Sequence, residues 1–229
     1  FRGGMRSQIS RSWLAEEGLK QPLILGGYKA ARAFLLEQIN SCCARLEFVV
    51  IAGATGSGKT RLIEALGEGA VDLESHANHR GSAFGGKSGP QPSQYDFENG
   101  LAVDLMHKSG RIFLEDESRM IGKITLPSAL FLKLRESPVI LIEEPLEKRV
   151  ENIRLEYVVS PSAVGSPYPS IKKAVLAISR KLGGVRTAEV NSLIGHGDDS
   201  AWISRLLNYY YDPLYQAGFA RRSPRILFK

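Results

Sequence analysis

The segment Gly53-Ala54-Thr55-Gly56-Ser57-Gly58-Lys59-Thr60 sets glycines, a lysine and a hydroxyl at the spacing a bound phosphate requires. Gly53 and Gly58 hold the two fixed glycine positions, where the backbone can turn successive N–H groups toward one anion. Lys59 supplies a point charge for an outer phosphate, and the Thr60 hydroxyl stands where it would ligate a magnesium ion bridging two phosphate oxygens. The flanks matter as much as the spacing. Phe48-Val49-Val50-Ile51-Ala52 reads as a strand and Arg61-Leu62-Ile63-Glu64-Ala65-Leu66 as a helix, whose N-terminal dipole would face the anion. A chance glycine turn carrying a lysine would have neither flank.

Further polar residues fall into two groups. Ala70-Val71-Asp72-Leu73 reads as a short strand ending in Asp72 and Glu74. From Ser75 to Gln94 there is no periodicity, only varied polar and glycine residues, including Asn78, His79, Arg80, Gly81, Ser82, Phe84, Gln91, Ser93 and Gln94. A loop of about 20 residues inside a compact domain is more often functional than filler. The second group, Glu115-Asp116-Glu117-Ser118-Arg119, follows the strand Arg111-Ile112-Phe113-Leu114. Acids at the end of a strand beside a phosphate loop suit a carboxylate behind a magnesium ion, or a general base. The structural alternative is a negatively charged turn, or a partner for Arg119.

These groups need a scaffold. Strands at Phe48–Ala52, Ala70–Leu73, Arg111–Leu114 and Pro138–Ile142 alternate with helices at Lys29–Arg45, Arg61–Leu66, Tyr95–Ser109 and Leu126–Arg135. Pro145 opens a further helix, with Arg149 one turn in. Alternation of this kind predicts an α/β fold, a P-loop NTPase-like parallel sheet with helices on both faces. Ligands then belong at the carboxyl ends of the strands, where Gly53, Asp72, Glu115 and Glu143 all fall. From Ile171 onward the pattern is helical, at Ile171–Leu182, Thr187–Ile194 and Ala201–Tyr210, which predicts a C-terminal helical subdomain over residues 161–229 beside the α/β domain of residues 29–160. Tyr209, Tyr210, Tyr211 and Tyr215 suit either helix packing or stacking on nucleobases, and His196 suits an exposed turn. Residues 1–28 comprise a glycine- and arginine-rich loop, a helix from Ser7 to Gly18 capped by Ser7 or Ser10, and a strand at Leu23-Ile24-Leu25; they read as the tail end of another domain.

Composition bounds the possibilities. The 229 residues, 43% hydrophobic and 24% charged, are ordinary for a globular protein. No apolar run approaches the ~20 residues of a membrane span, and the front lacks the layout of a signal peptide, so no membrane and a cytoplasmic location are expected. A monomer is expected. Cys42 and Cys43 are adjacent in a helix, a poor arrangement for a disulfide or a metal. The net charge of +6 and a pI near 9.3 hint at a polyanionic partner. Much of the excess is in Lys172, Lys173, Arg180, Lys181, Arg186, Arg205, Arg221, Arg222, Arg225 and Lys229, though solvated helix faces explain such residues about as well as nucleic acid does.

The motifs taken together resemble the tRNA 2-selenouridine synthase family. The resemblance is carried by Arg2-Gly3-Gly4-Met5-Arg6-Ser7, Gly26-Gly27-Tyr28-Lys29, the phosphate loop, Asp72-Leu73-Glu74 with Ala77 to Gly85, Gln91-Pro92-Ser93-Gln94, Phe97-Glu98-Asn99 and Glu115 to Arg119. It implies a rhodanese domain joined to a P-loop domain, with residues 1–28 the tail of the former. It also implies a transferase that attaches a geranyl group from geranyl diphosphate to the wobble 2-thiouridine of tRNA, then replaces S-geranyl with selenium from selenophosphate. The rhodanese cysteine of the family would stand just before Phe1, so the selenium step is not expected of these residues. On this resemblance the phosphate loop holds the diphosphate, with magnesium on Thr60 and Asp116. Asn78, His79, Arg80, Ser82, Gln91, Ser93 and Gln94 orient the thiouridine or its phosphates, Arg80 as the foremost anion contact. Glu115 or Asp116 holds magnesium or Lys59. Asp72, Glu74, Gly81, Phe84, Glu117, Ser118 and Arg119 complete the expected substrate and tRNA surface. Two rival readings stay open. One is an ATP-dependent kinase of small molecules or nucleotides, suggested by the strand before Glu143-Glu144-Pro145 and Arg149; the other is a non-catalytic tRNA-binding module.

Overall fold

A computed structural model of the chain describes residues 4–82, 84–86, 89–160, 165–222 and 225–228. Phe1, Arg2 and Gly3 of the rhodanese-like segment, Ala83 of the polar loop and Lys229 lie outside the described residues. Helices α1 (Met5–Glu16) and α2 (Gly27–Arg45) lead into strand β1 (Glu47–Gly53). Helix α3 (Lys59–Leu66), strand β2 (Ala70–Val71), the short helix α4 (Leu73–His76), helix α5 (Gln94–His107) and strand β3 (Arg111–Glu115) follow. Next come a hairpin of β4 (Met120–Ile121) and β5 (Ile124–Thr125), helix α6 (Ser128–Glu136), strand β6 (Val139–Ile142) and helix α7 (Leu146–Arg154), which runs on as a π-helical turn over Leu155–Val159. The remainder comprises α8 (Tyr168–Ala177), α9 (Ser179–Leu182), α10 (Gly184–Leu193), α11 (Asp199–Leu206), a second π-helical turn over Leu207–Tyr211, α12 (Asp212–Arg222) and β7 (Ile226–Phe228).

The sheet runs β2-β3-β1-β6-β7 and every pairing in it is parallel. Six of the seven residues of β1 are buried, the unbroken apolar run expected of a central strand covered on both faces. Strand geometry divides those residues between two layers. Phe48, Val50 and Ala52 pack with Ile39, Leu101, Leu105 and Leu130 from α2, α5 and α6, while Ile51 packs with Ile63 of α3 on the other face. This is the α/β sheet with helices on both faces that the alternation predicts. A second core, holding Val150, Ile171, Val175, Val190, Trp202 and Leu206, joins α7 to the helices that follow it. Cys42 and Cys43 are buried free thiols, and burial pushes the Cys43 thiol up to about 11.

Four details differ from expectation. Helix α1 begins at Met5, because Ser7 N already donates to Gly4 O at 2.9 Å; neither Ser7 nor Ser10 caps it. Leu23–Leu25 is not a strand; no neighbouring strand pairs with it among the described residues, and Gly27 N bonds Ile24 O at 2.9 Å as the chain turns into α2. The β4–β5 hairpin turns at Gly122, which has a positive φ of 60°, and its two-residue strands are too short to show periodicity. Finally, the chain does not end in helix. Strand β7 returns to pair with β6, with Val139 N donating to Arg225 O at 2.8 Å.

Leu114 is fully buried in β3, between β1 and β2. Leu114→Ala is expected to lower unfolding free energy by about 3 kcal/mol, from lost transfer energy and a cavity, as read by urea denaturation.

Candidate functional site

The phosphate loop spans the gap between the end of β1 and the start of α3, and its start and middle are sterically fixed. A Cβ on Gly53 would lie 2.8 Å from the carbonyl oxygen of Ile142 in the adjacent strand. Gly56, at φ 83°, would place a Cβ 2.8 Å from the carbonyl oxygen of Arg149. The loop is gripped from outside by α7. Arg149 Nε donates to Thr55 O and Asn152 Nδ2 to Gly56 O, each at 2.8 Å, while Arg61 donates to Asn152 Oδ1 at 3.1 Å. Because a trans peptide points its C=O and N–H in opposite directions, the Gly56 N–H faces away from α7. The first N–H groups of α3 have no acceptor within the helix, which leaves them available to an anion. Arg149 also binds both carboxylate oxygens of Asp212, tying α12 to the loop.

Lys59 bends back over the loop, donating to Gly53 O at 2.7 Å and Ala54 O at 3.4 Å. Burial lowers the pKa of its ammonium, and the charges of Glu117, Glu74, Glu115 and Asp116 act in the opposite sense. Thr60 Oγ1 lies 3.4 Å from Glu74 Oε2. Glu115 is almost wholly buried, and neither carboxylate oxygen has a hydrogen-bond partner among the described residues. Burial, then the charges of Asp72 and Glu74, push its carboxyl up to about 9, so it is protonated at neutral pH. Burial and the neighbouring Glu74, to which it is hydrogen-bonded, push Glu117 up to about 8. Among the described residues no three His, Cys, Asp or Glu side chains form a metal cage. Magnesium needs only one or two protein ligands when phosphates supply the rest. Thr60, the acids around it and the orphaned Glu115 carboxyl are donors of the right chemistry for that partial site.

A cleft of about 530 Å³ opens over this loop. Gly53, Thr55, Gly56, Gly58, Lys59 and Thr60 form its floor, with Glu74, Arg80, Gly81, Ser82, Asp116, Glu117 and Ser118 along one side. The polar loop therefore meets the site through Arg80–Ser82. Arg80 pairs with Glu156 at 2.6 Å and lies over the Tyr157 ring, 5.1 Å from its centroid, so this segment docks on the π-helical turn after α7. The remaining expected residues lie elsewhere. Ala54 and Ser57 belong to the loop but do not line the cleft. Asn78 donates to Pro90 O at 3.1 Å; His79 N bonds Glu74 O at 3.0 Å. Gln91 donates to Ala77 O and Ile121 O and accepts from Lys123 N, clamping the polar loop to the hairpin. Gln94 exchanges hydrogen bonds with the Thr125 backbone, and Ser93 caps α5. Asp72 caps α4, with its side chain accepting from Ser75 N at 2.7 Å, and borders a separate cavity with His76, Asp104 and Lys108. Arg119 reaches Ser128 and the Phe131 ring, and Glu143 is exposed away from the cleft.

The other side of the cleft comes from residues the motifs do not include: Asn152, Ile153, Glu156 and Tyr157, then Lys181, Tyr210, Tyr211, Leu214 and Tyr215. The positions 149, 152, 153, 156 and 157 follow helical spacing after Pro145, a signal that would have marked one face of α7. The tyrosines serve the helix packing weighed for them, and some also line the cleft. Tyr209, Tyr210 and Tyr211 pack on the second core, and Tyr210, Tyr211 and Tyr215 also face the cleft. His196 is exposed in a turn. Beside the cleft, and sharing Thr55, Ser82, Ile153, Tyr157 and Tyr211 with it, is a narrow apolar slot walled by Phe84, Trp202, Ile203, Leu206 and Leu207.

Residues 46–229 match the family described as the tRNA 2-selenouridine synthase AAA domain. The whole chain is 40% identical to a tRNA 2-selenouridine synthase of Bdellovibrio bacteriovorus, of which it covers 70%, and 40% identical to one of Nitrosomonas europaea, of which it covers 71%. It is 41% identical to a tRNA 2-selenouridine synthase of Bordetella petrii and covers 68% of it. No solved structure matches the chain.

The buried Glu115 carboxyl makes stability depend on pH. Its folded pKa, about 9, exceeds the ordinary glutamate value of 4.5, so its contribution is complete below about pH 4.5 and is lost as pH rises through 9. Glu115→Gln, which mimics the neutral acid, is expected to flatten the fall of the thermal midpoint between pH 5 and pH 9 in a scan by differential calorimetry.

Proposed function

The chain belongs to the tRNA 2-selenouridine synthase family, and on that premise we propose that its cleft binds geranyl diphosphate and transfers the geranyl group to the sulfur of wobble 2-thiouridine in tRNA. The observation that carries the reading is the shared wall between an anion cradle and an apolar slot. A prenyl diphosphate has one end for each. Its diphosphate suits the loop from Gly53 to Thr60, and its hydrocarbon suits the space between Phe84, Trp202 and Leu206. The slot has room for about 30 Å³, roughly one water, so Phe84 and Tyr211 must part to admit a C10 chain.

In the transfer, the thiouridine sulfur attacks C1 of the geranyl group and the C1–O bond breaks. Pyrophosphate leaves with the electron pair, and the base gives up its N3 proton. Charge develops on the departing pyrophosphate, where the loop N–H groups and Lys59 stabilise it. Lys59 must first release Gly53 O, to which it is bonded at 2.7 Å. Thr60 and Asp116 would hold a magnesium ion, which when bound supplies further charge to the leaving group. Arg80, now paired with Glu156, is positioned at the cleft wall to meet an anion on exchange of partners.

Two measurements test this. Lys59→Ala should abolish transfer of geranyl to a 2-thiouridine tRNA while the circular dichroism spectrum is unchanged; retained transfer would remove the loop from the mechanism. Phe84→Ala should weaken geranyl diphosphate about tenfold in calorimetry, the effect of losing about 1.4 kcal/mol of apolar contact, and leave inorganic pyrophosphate unaffected. Tight binding of ATP with no binding of geranyl diphosphate would favour the kinase reading instead.

A further inference from the structure

The sequence from residue 157 to residue 188 contains no Asp or Glu, yet carries Lys172, Lys173, Arg180, Lys181 and Arg186. All five side chains are exposed, and among the described residues none of them is in an ion pair. Other arginines of the surface differ: Arg111 pairs with Glu47, Arg154 with Glu151 and Arg205 with Glu189. A solvated helix face usually mixes signs as those do. The cationic stretch also reaches the site. Lys181 lines the cleft beside Tyr210 and Tyr211. The Arg186 guanidinium lies over the Tyr209 ring, 4.7 Å from its centroid, and Arg186 is exposed, which leaves it accessible to a second planar group.

We infer that α8, α9, the start of α10 and the π-helical turn at Leu207–Tyr211 form the docking platform for a single-stranded RNA segment. Its phosphates follow Lys172, Lys173, Arg180 and Lys181, and one base stacks on the Arg186–Tyr209 pair, which sets the adjoining nucleotide at the cleft mouth. The unpaired cations favour a polyanion, and the stacking surface favours splayed bases over a duplex, whose bases are covered. The inference rests on the tRNA reading above and assigns the surface that reading requires. The bases of an anticodon loop are single-stranded, as the platform demands.

The test uses Arg180→Glu/Arg186→Glu, two exposed positions outside the cleft lining, and compares it with the parent chain for binding of a tRNA by fluorescence anisotropy over a salt series. The variant is expected to bind about tenfold more weakly at ~0.15 M salt, with a plot of log affinity against log salt shallower by about 0.7, from the one phosphate contact of Arg180, the rest of the loss coming from the Arg186 base stack. Its calorimetric titration with geranyl diphosphate should match the parent. A parent that binds tRNA, with a variant equal to it in affinity and slope, overturns the platform and leaves the tRNA reading standing. A parent that does not bind tRNA at any salt overturns both.

Discussion

The grip of α7 on the phosphate loop is the constraint from which the rest of the architecture follows. A glycine-rich loop has many conformations in isolation, and only an arrangement that converges its N–H groups binds an anion strongly. Here two carbonyls, those of Thr55 and Gly56, are held outward by Arg149 and Asn152, which stand one turn apart on a helix. The same arginine holds Asp212 of α12, so one buried guanidinium fixes the loop and docks the helical half of the chain against the sheet. A buried arginine left without these partners would be costly, which makes the three-way contact mutually dependent.

That dependence explains how the cleft comes to have two unlike ends. Because α7 lies against the loop on one side and in the second core on the other, the apolar interior of the helical half begins where the anion cradle stops. Val150 faces the second core, and Ile153 walls the slot and the cleft together. The prenyl diphosphate proposed above has one end for each side of that junction. The electrostatics are arranged with equal economy. Four acids, Glu74, Glu115, Asp116 and Glu117, act on Lys59, and burial keeps Glu115 protonated. The site therefore carries less negative charge than its composition suggests.

Much of this was legible from sequence, for reasons that can be named. The phosphate loop, the parallel sheet and the approximate position of nearly every helix rest on local patterns: glycine spacing, apolar runs, helical periodicity and proline at helix starts. The failures were of two kinds. The β4–β5 hairpin and β7 are too short to carry a period, and β7 exists because β6 offers an edge to pair with. The polar loop was the other. Gln91, Ser93 and Gln94 have the chemistry of substrate contacts, yet their amides and hydroxyl hold the loop to the hairpin and cap α5. Composition cannot distinguish a polar side chain turned toward a ligand from one turned toward the backbone of a neighbouring element.

The sequence by itself marked the glycine cradle and the strands and helices that flank it, since each is signalled by residue types and spacings close along the chain. Only the tertiary structure decided what shares the cleft with that cradle. Asn152, Ile153, Tyr157, Lys181, Tyr210 and Tyr211 arrive from elements some 90 to 160 residues beyond the loop. Their convergence is set by packing of the second core against α7, a long-range condition that leaves no mark on any local window of sequence.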